Sequence, residues 1–149
     1  EPPAVTLAEC DIFQHCGPEE LAVLEQGLET LRYKQGETII HTGASADELF
    51  VLVSGSVEVL LRLDDGRRQR IDVFSPGMSF GEMAFLDASP RSADVVAQTD
   101  VECRVLSRGF FNTLGEAHPA LKSGILLAIS LQLSERLRQA NIEIGALRS

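Results

Sequence analysis

Basic side chains are scarce in this chain. Its 149 residues carry 13 Lys plus Arg against 22 Asp plus Glu, a formal net charge of -9. So acidic a surface is a poor partner for phosphate backbones and anionic lipid, which argues against nucleic acid or a membrane as a direct partner. It leaves room for one small anion in one local pocket. Cysteine is scarce too. Three, an odd number, do not form a disulfide framework. Cys10 and Cys16 lack metal-ligand spacing, and Cys103 sits in an apolar alternating run. They read as free thiols in a reducing, cytoplasmic compartment. No apolar stretch reaches the ~18 residues that cross a bilayer, and no signal peptide opens the chain. The start at Glu1 rather than Met reads as a piece of a longer protein. Internal repeats and low-complexity tracts are missing.

Catalytic constellations are missing as well. His15, His41 and His118 are scattered and read as structural. Asp64 and Asp65 are adjacent on a hairpin tip, where neighbouring side chains point apart, so a turn explains them better than an acid pair. Ser54, Ser56 and Ser79 have no nucleophile-elbow context. The chain itself is expected to be neither an enzyme nor a metal protein.

What is present is an ordinary globular composition, 44% hydrophobic and 23% charged. A chain of this length buries roughly two-thirds of its unfolded surface as one domain. We therefore expect a single domain over 1–149. A Pro-rich lead-in with Pro2 and Pro3 comes first. Gly17-Pro18-Glu19-Glu20 then starts a helix, with Pro in the first turn and carboxylates at its positive end. Leu21, Leu24 and Leu28 mark its apolar face, which predicts a helical segment ending near Leu31.

From residue 32 to 106 short apolar runs alternate with turns. The runs are Thr38 to His41, Glu48 to Ser54, Ser56 to Leu63, Arg68 to Phe74, Ala93 to Gln98 and Val101 to Leu106. Gly36, Gly43, Gly55, Gly66, Gly77 and Gly81 punctuate them. This pattern predicts a β-roll or jelly roll. Arg67, Arg68 and Arg70 read as a solvated strand face. Over 107–149 the period returns to that of a helix. Ser107 caps a short helix through Leu114, and Pro119 starts a long one to about Leu147. Leu126, Leu133, Leu137, Ala140, Ile144 and Leu147 form one stripe on it, read as core packing.

The stretch 80–93 carries the chemistry. Gly81 lets the backbone come close to a ligand. Glu82 to Leu86 fits one short helical turn, whose first amides would face an anion. Pro90 fixes the chain before Arg91, and Arg91 and Ser92 offer a guanidinium fork and a hydroxyl to the same space. That set suits a phosphate. Glu82 would repel phosphate but would accept a hydrogen bond from a sugar hydroxyl, so the residues point to a nucleotide.

Phe80-Gly81-Glu82-Met83-Ala84, six further residues, then Arg91-Ser92-Ala93, resembles the phosphate-binding cassette of cyclic nucleotide-binding domains. The resemblance covers nearly the whole chain. Asp47 to Leu52 and Ser54-Gly55 fit that family's third and fourth strands. The domain also looks similar to C-terminal regulatory domains fused to bacterial glutaminases and sulfate permeases. The resemblance implies a mainly β fold with an N-terminal helix, a short cassette helix and a long C-terminal helix. It implies that Arg91 pairs with the cyclic phosphate and Ser92 contacts phosphate or purine. Glu82 would take the ribose 2′-hydroxyl, and Gly81, Met83 and Ala84 would present backbone groups. The ligand would be cAMP or cGMP, since Ser92 fits both. The long helix would act as lid and switch for a covalently attached effector, with Arg136 or Arg138 approaching the base, and would offer a homodimer surface. The alternatives are the effector-binding part of a catabolite-activator-type transcription regulator and a ligand-free interaction domain.

Overall fold

The computed structural model describes residues 4–148, and side chains as far as residue 146; the Pro2-Pro3 lead-in lies outside them. Two 3-10 turns, Leu7–Glu9 and Asp11–Phe13, precede helix α1 (Pro18–Gly27). Eight strands follow: β1 (Glu29–Tyr33), β2 (Thr38–Ile40), β3 (Glu48–Ser54), β4 (Val57–Arg62), β5 (Arg68–Phe74), β6 (Ser79–Phe80), β7 (Asp94–Ala97) and β8 (Val101–Ser107). Helix α2 (Glu82–Asp87) lies between β6 and β7, and α3 (Arg108–Ala117) and α4 (Pro119–Arg148) close the chain. The strands form two antiparallel sheets, ordered β1-β8-β3-β6 and β2-β7-β4-β5. This is the mainly β roll with flanking helices that the alternating runs predict. The turn glycines Gly36, Gly43, Gly55, Gly66 and Gly77 all take positive φ.

Strand β3 shows how one sequence run serves two cores. Its apolar run is continuous because both of its faces are buried. Phe50 and Leu52 point into the roll, where they pack with Val57, Phe74, Phe80, Val95 and Val105. Leu49 and Val51 point the other way, into a second core with Leu24, Phe85, Phe111, Leu121, Ile125 and Ile129. The alternation is the period of two of an extended chain. Strand β8 does the same, with Val105 in the roll and Leu106 in the helical core, so two neighbouring strands fasten roll and helices together. Full burial of each such side chain stabilises by about 1.5–3 kcal/mol.

Helix α1 starts as expected. Gly17 precedes it, Pro18 opens it, and the Gly17 N–H donates to Glu20 Oε1 at 3.1 Å. Its end differs. The helix stops at Gly27, Leu28 is extended, and β1 begins at Glu29 instead of the helix running to Leu31. Leu24, Leu28 and Leu31 keep helical spacing by coincidence. Leu24 and Leu28 belong to the helical core, whereas Leu31 packs against the roll. At the helix end the Phe110 ring fills the space beside Gly27, 2.0 Å from where a Cβ would stand. Strand β6 was likewise absent from the expected runs, being two residues long. Helix α3 has the expected Ser107 cap, whose Oγ accepts from the Phe110 N–H at 3.1 Å, and runs on to Ala117.

Helix α4 starts at Pro119 as expected, but the stripe along it needs correction. The fully buried ridge is Leu121, Ile125 and Ile129. Leu126 and Leu133 pack only partly, and Leu137 and Ile144 are exposed; the Leu147 side chain lies outside the described residues. The later half of the helix passes over the open end of the roll instead of packing in a core. Among the described residues no helix is long and apolar enough to cross a membrane.

Candidate functional site

Strand β6 delivers the chain to Gly81, whose φ of 81° puts it in the left-handed region. A Cβ there would lie 2.6 Å from Arg91 Nη1, so glycine answers both to conformation and to close approach. Helix α2 follows at once and ends at Ala88, also left-handed (φ 59°). The chain returns through Pro90 to Arg91. There the Arg91 N–H donates to Ala44 O at 3.0 Å, and Arg91 O accepts from the Gly43 N–H at 2.8 Å.

The Arg91 side chain is buried, 6% exposed. Nη1 donates to Gly81 O at 2.7 Å and Nη2 to Glu48 O at 2.6 Å. These bonds aim the guanidinium and leave part of its donor fork unclaimed. Burial lowers its pKa from the ordinary value, opposed by the charges of Glu48, Asp47 and Glu82. Ser92 is exposed at the rim, Met83 is exposed, and Ala84 is buried.

Glu82 is the second buried ion, 4% exposed. Its Oε1 accepts a short bond from Arg136 Nη1 of α4. Its Oε2 is buried without a partner. Burial raises the Glu82 pKa above its ordinary value, and the charge of Arg136 works against the rise. Arg136 also donates through Nη2 to Ser79 O at 2.9 Å, and its guanidinium carbon lies 4.6 Å from the centre of the Phe74 ring. One turn earlier Gln132 Oε1 accepts from Ser79 Oγ at 2.9 Å. Gln132 and Arg136 thus clasp α4 to the strand that leads into the cassette. Arg138, the other candidate on this helix, does not reach the site: it is largely exposed and donates to Glu135 Oε2 at 3.2 Å.

These groups border a cavity of about 640 Å³. That volume is within the range of small-molecule sites, roughly 300–1,000 Å³. Gly81 to Ala84, Arg91 and Ser92 line it from the cassette, and Leu133, Arg136, Leu137 and Ala140 from α4. Val59, Ile71, Asp72 and Phe74 line it from β4 and β5. The contributions of β5 and Gln132 were not apparent from sequence. Nothing in a linear pattern tells which side of the β4–β5 pair faces α4.

Asp94 ties β7 to the turn after β2 and to β4 and β5. It is 1% exposed and accepts from the Thr42 N–H (2.8 Å), Thr42 Oγ1 (2.7 Å), Arg62 Nε (3.0 Å) and Arg68 Nη1 (3.3 Å). Burial alone would raise its pKa; these four bonds outweigh it and hold the carboxyl far below the ordinary range. Arg67, Arg68 and Arg70 are exposed, as a solvated strand face requires, and Arg68 also reaches this buried partner.

A family model described as the cyclic nucleotide-binding domain matches residues 30–118. The chain belongs to this family. A cyclic nucleotide-binding domain is regulatory rather than catalytic, and the jelly roll with its long last helix is that fold. Among curated relatives, Glutaminase 2 of Bradyrhizobium diazoefficiens is 35% identical over 97% of this chain and 22% of its own length. The CRP-like cAMP-activated global transcriptional regulator of Mycobacterium tuberculosis is 28% identical over 95% of this chain and 61% of its own. Among solved structures, the catabolite activator protein of Thermus thermophilus has a TM-score of 0.79 at 29% identity, covering 92% of this chain and 62% of that one. This cyclic nucleotide-binding domain thus spans about three-fifths of the regulators and about a fifth of the glutaminase.

The residues present fit such a ligand. A buried carboxylate oxygen without a donor is costly, and a sugar hydroxyl is one group that could supply such a donor. A buried guanidinium with free N–H groups in the same cavity suits a phosphate.

Proposed function

We propose that this domain binds cAMP or cGMP in the cavity under α4 and passes its occupancy to an attached effector. The orphaned Glu82 Oε2, sharing a cavity with the buried Arg91, carries the proposal. Arg91 would hold the cyclic phosphate and Glu82 Oε2 the ribose 2′-hydroxyl. Ser92 would contact phosphate or purine, and Gly81, Met83 and Ala84 would offer backbone groups. Arg136 would keep Oε1 and hold α4 closed over the site. We read residues 1–149 as one domain: a helical segment ending at Gly27, the roll over 29–107 with the cassette at 80–93, and lid helices from Arg108 on. The free thiols Cys10, Cys16 and Cys103 support a cytoplasmic setting.

Occupancy reaches α4 only through a difference in affinity between its closed and displaced positions. Glu82 supplies that difference, because one carboxylate meets both the ligand and the helix. The exposed Leu127, Leu131 and Ile142 give α4 an apolar outer side through which an effector or a second copy would feel its position. The likeness to the glutaminase favours an enzyme as effector. The likeness to the CRP-like regulator favours a DNA-binding one.

Arg91→Ala tests the site. Truncating one member of a buried charge pair commonly costs about 2–5 kcal/mol. Calorimetric titration should therefore show affinity for the bound nucleotide falling a hundredfold or more. Equal affinity in the two proteins would refute the assignment.

A further inference from the structure

The chain has two methionines, and the fold treats them differently. Met78 is half-buried against the core of the roll, and its sulfur accepts from the Ser75 N–H at 3.5 Å and from Ser75 Oγ at 3.6 Å. Met83 is 65% exposed and lines the cavity from α2, so it stands where the cavity meets solvent.

The other sulfurs are poor targets for an oxidant. The thiolate is the reactive form of cysteine. Cys10 and Cys103 are buried and Cys16 is half-buried. Burial pushes the Cys10 and Cys16 thiols up to about 11 and the Cys103 thiol up to about 12, so all three stay protonated at neutral pH. A thioether has no proton to lose and needs only access. Met83 is the sulfur that has it.

We propose that Met83 is a reversible oxidation site that sets the affinity of the cavity for its nucleotide. This rests on the cyclic nucleotide reading above and adds a control to that site. A peroxide gives one oxygen to the Met83 sulfur. The O–O bond breaks, the thioether is oxidised to the sulfoxide, and hydrogen peroxide is reduced to water. A dithiol reductase reverses the step: its two thiols become a disulfide and the oxygen leaves as water.

The sulfoxide oxygen is a polar acceptor on a side chain that was apolar. Much of the cavity lining is apolar, with Ile71, Phe74, Leu133 and Leu137 among it. A polar oxygen at such a mouth either keeps its water, which a ligand covering Met83 must strip, or takes an N–H that the ligand would use. Both outcomes weaken binding. The oxygen is also the negative end of the new dipole, in a cavity where Arg91 is the group suited to an anion.

The test treats wild type, Met83→Leu and Met78→Leu with hydrogen peroxide, maps the added oxygen by mass spectrometry, and titrates cAMP and cGMP by calorimetry before and after. Leucine conserves volume, so both variants should fold, which their melting curves check. Met83 should oxidise before Met78, and saturating nucleotide should slow its oxidation. Oxidised wild type should bind nucleotide about tenfold more weakly, the order expected from stripping one polar group of its water. Sulfoxide reductase with dithiothreitol should restore the affinity. Met78→Leu should keep the loss, and Met83→Leu should show one affinity before and after peroxide, whatever its starting value. Unchanged affinity in wild type oxidised at Met83, or an equal loss in Met83→Leu, overturns this inference and leaves the site reading standing. Oxidation of Met78 ahead of Met83 overturns it as well. Failure of both nucleotides to bind untreated wild type overturns the site reading along with it.

Discussion

Glu82 sits almost fully out of water and shares one oxygen with Arg136. Its other oxygen has no donor. Burial disfavours the charge of a carboxylate so placed and raises its pKa above the ordinary 4.5, and the nearby Arg136 guanidinium works against the rise. A raised acid binds its proton more tightly in the folded chain than in the unfolded one. Its favourable contribution is then full below 4.5 and is lost as pH rises through the raised value. Urea unfolding of wild type and Glu82→Gln between pH 7 and pH 4.5 checks this. The stability of wild type relative to the variant should grow as the pH falls. A constant difference would mean that the folded chain does not favour the protonated carboxyl. The cassette itself was legible in sequence because it is local: Gly81, Glu82 and Arg91 lie within one loop and helix. The partner of Glu82 was half legible. Arg136 and Arg138 both lie on the right helix, and two residues of separation turn Arg138 away to Glu135.

At the scale of elements, α4 joins two different attachments. Leu121, Ile125 and Ile129 anchor its first turns in the helical core. Beyond them the attachment is polar, through Gln132 to Ser79 and Arg136 to Glu82 and Ser79. The later residues, 137–146, are exposed. The helix as a whole was legible from Pro119 and its period. Its packed face was not, because it carries two apolar ridges at helical spacing and only the position of α3 and the N-terminal turns selects between them. Strand β1 was missed for a related reason, since Leu31 continues a helical spacing while belonging to the roll. The division of α4 predicts local opening. In Arg136→Ala, hydrogen exchange should quicken over residues 133–146 and stay unchanged over 121–129, because a segment held by few contacts opens independently of the core. Added nucleotide should slow exchange in the same later segment of the wild-type chain. Uniform change along the helix would show that it moves as one rigid piece.

The whole molecule is an acidic shell of net charge -9 around two cores that share strands β3 and β8. The roll is open where α4 crosses it, and the cavity there is walled by the cassette, the β4–β5 pair and the helix together. No single element forms the site. A ligand that needs all three walls binds the folded chain and has little affinity for the unfolded one, so it must raise the stability of the whole. At a hundredfold excess over its Kd the gain is about 2.7 kcal/mol. For a chain of this size each kcal/mol shifts Tm by about 2–4 °C, so saturating nucleotide should raise Tm by about 5–10 °C. Two probes should report it: far-UV circular dichroism, which follows the helices, and tyrosine emission from Tyr33, which packs against the roll. Because β3 and β8 fasten the cores to each other, the two curves should coincide and move together. A shift in the tyrosine curve alone would show that the helices unfold apart from the roll, and that α4 is not a wall of the occupied site.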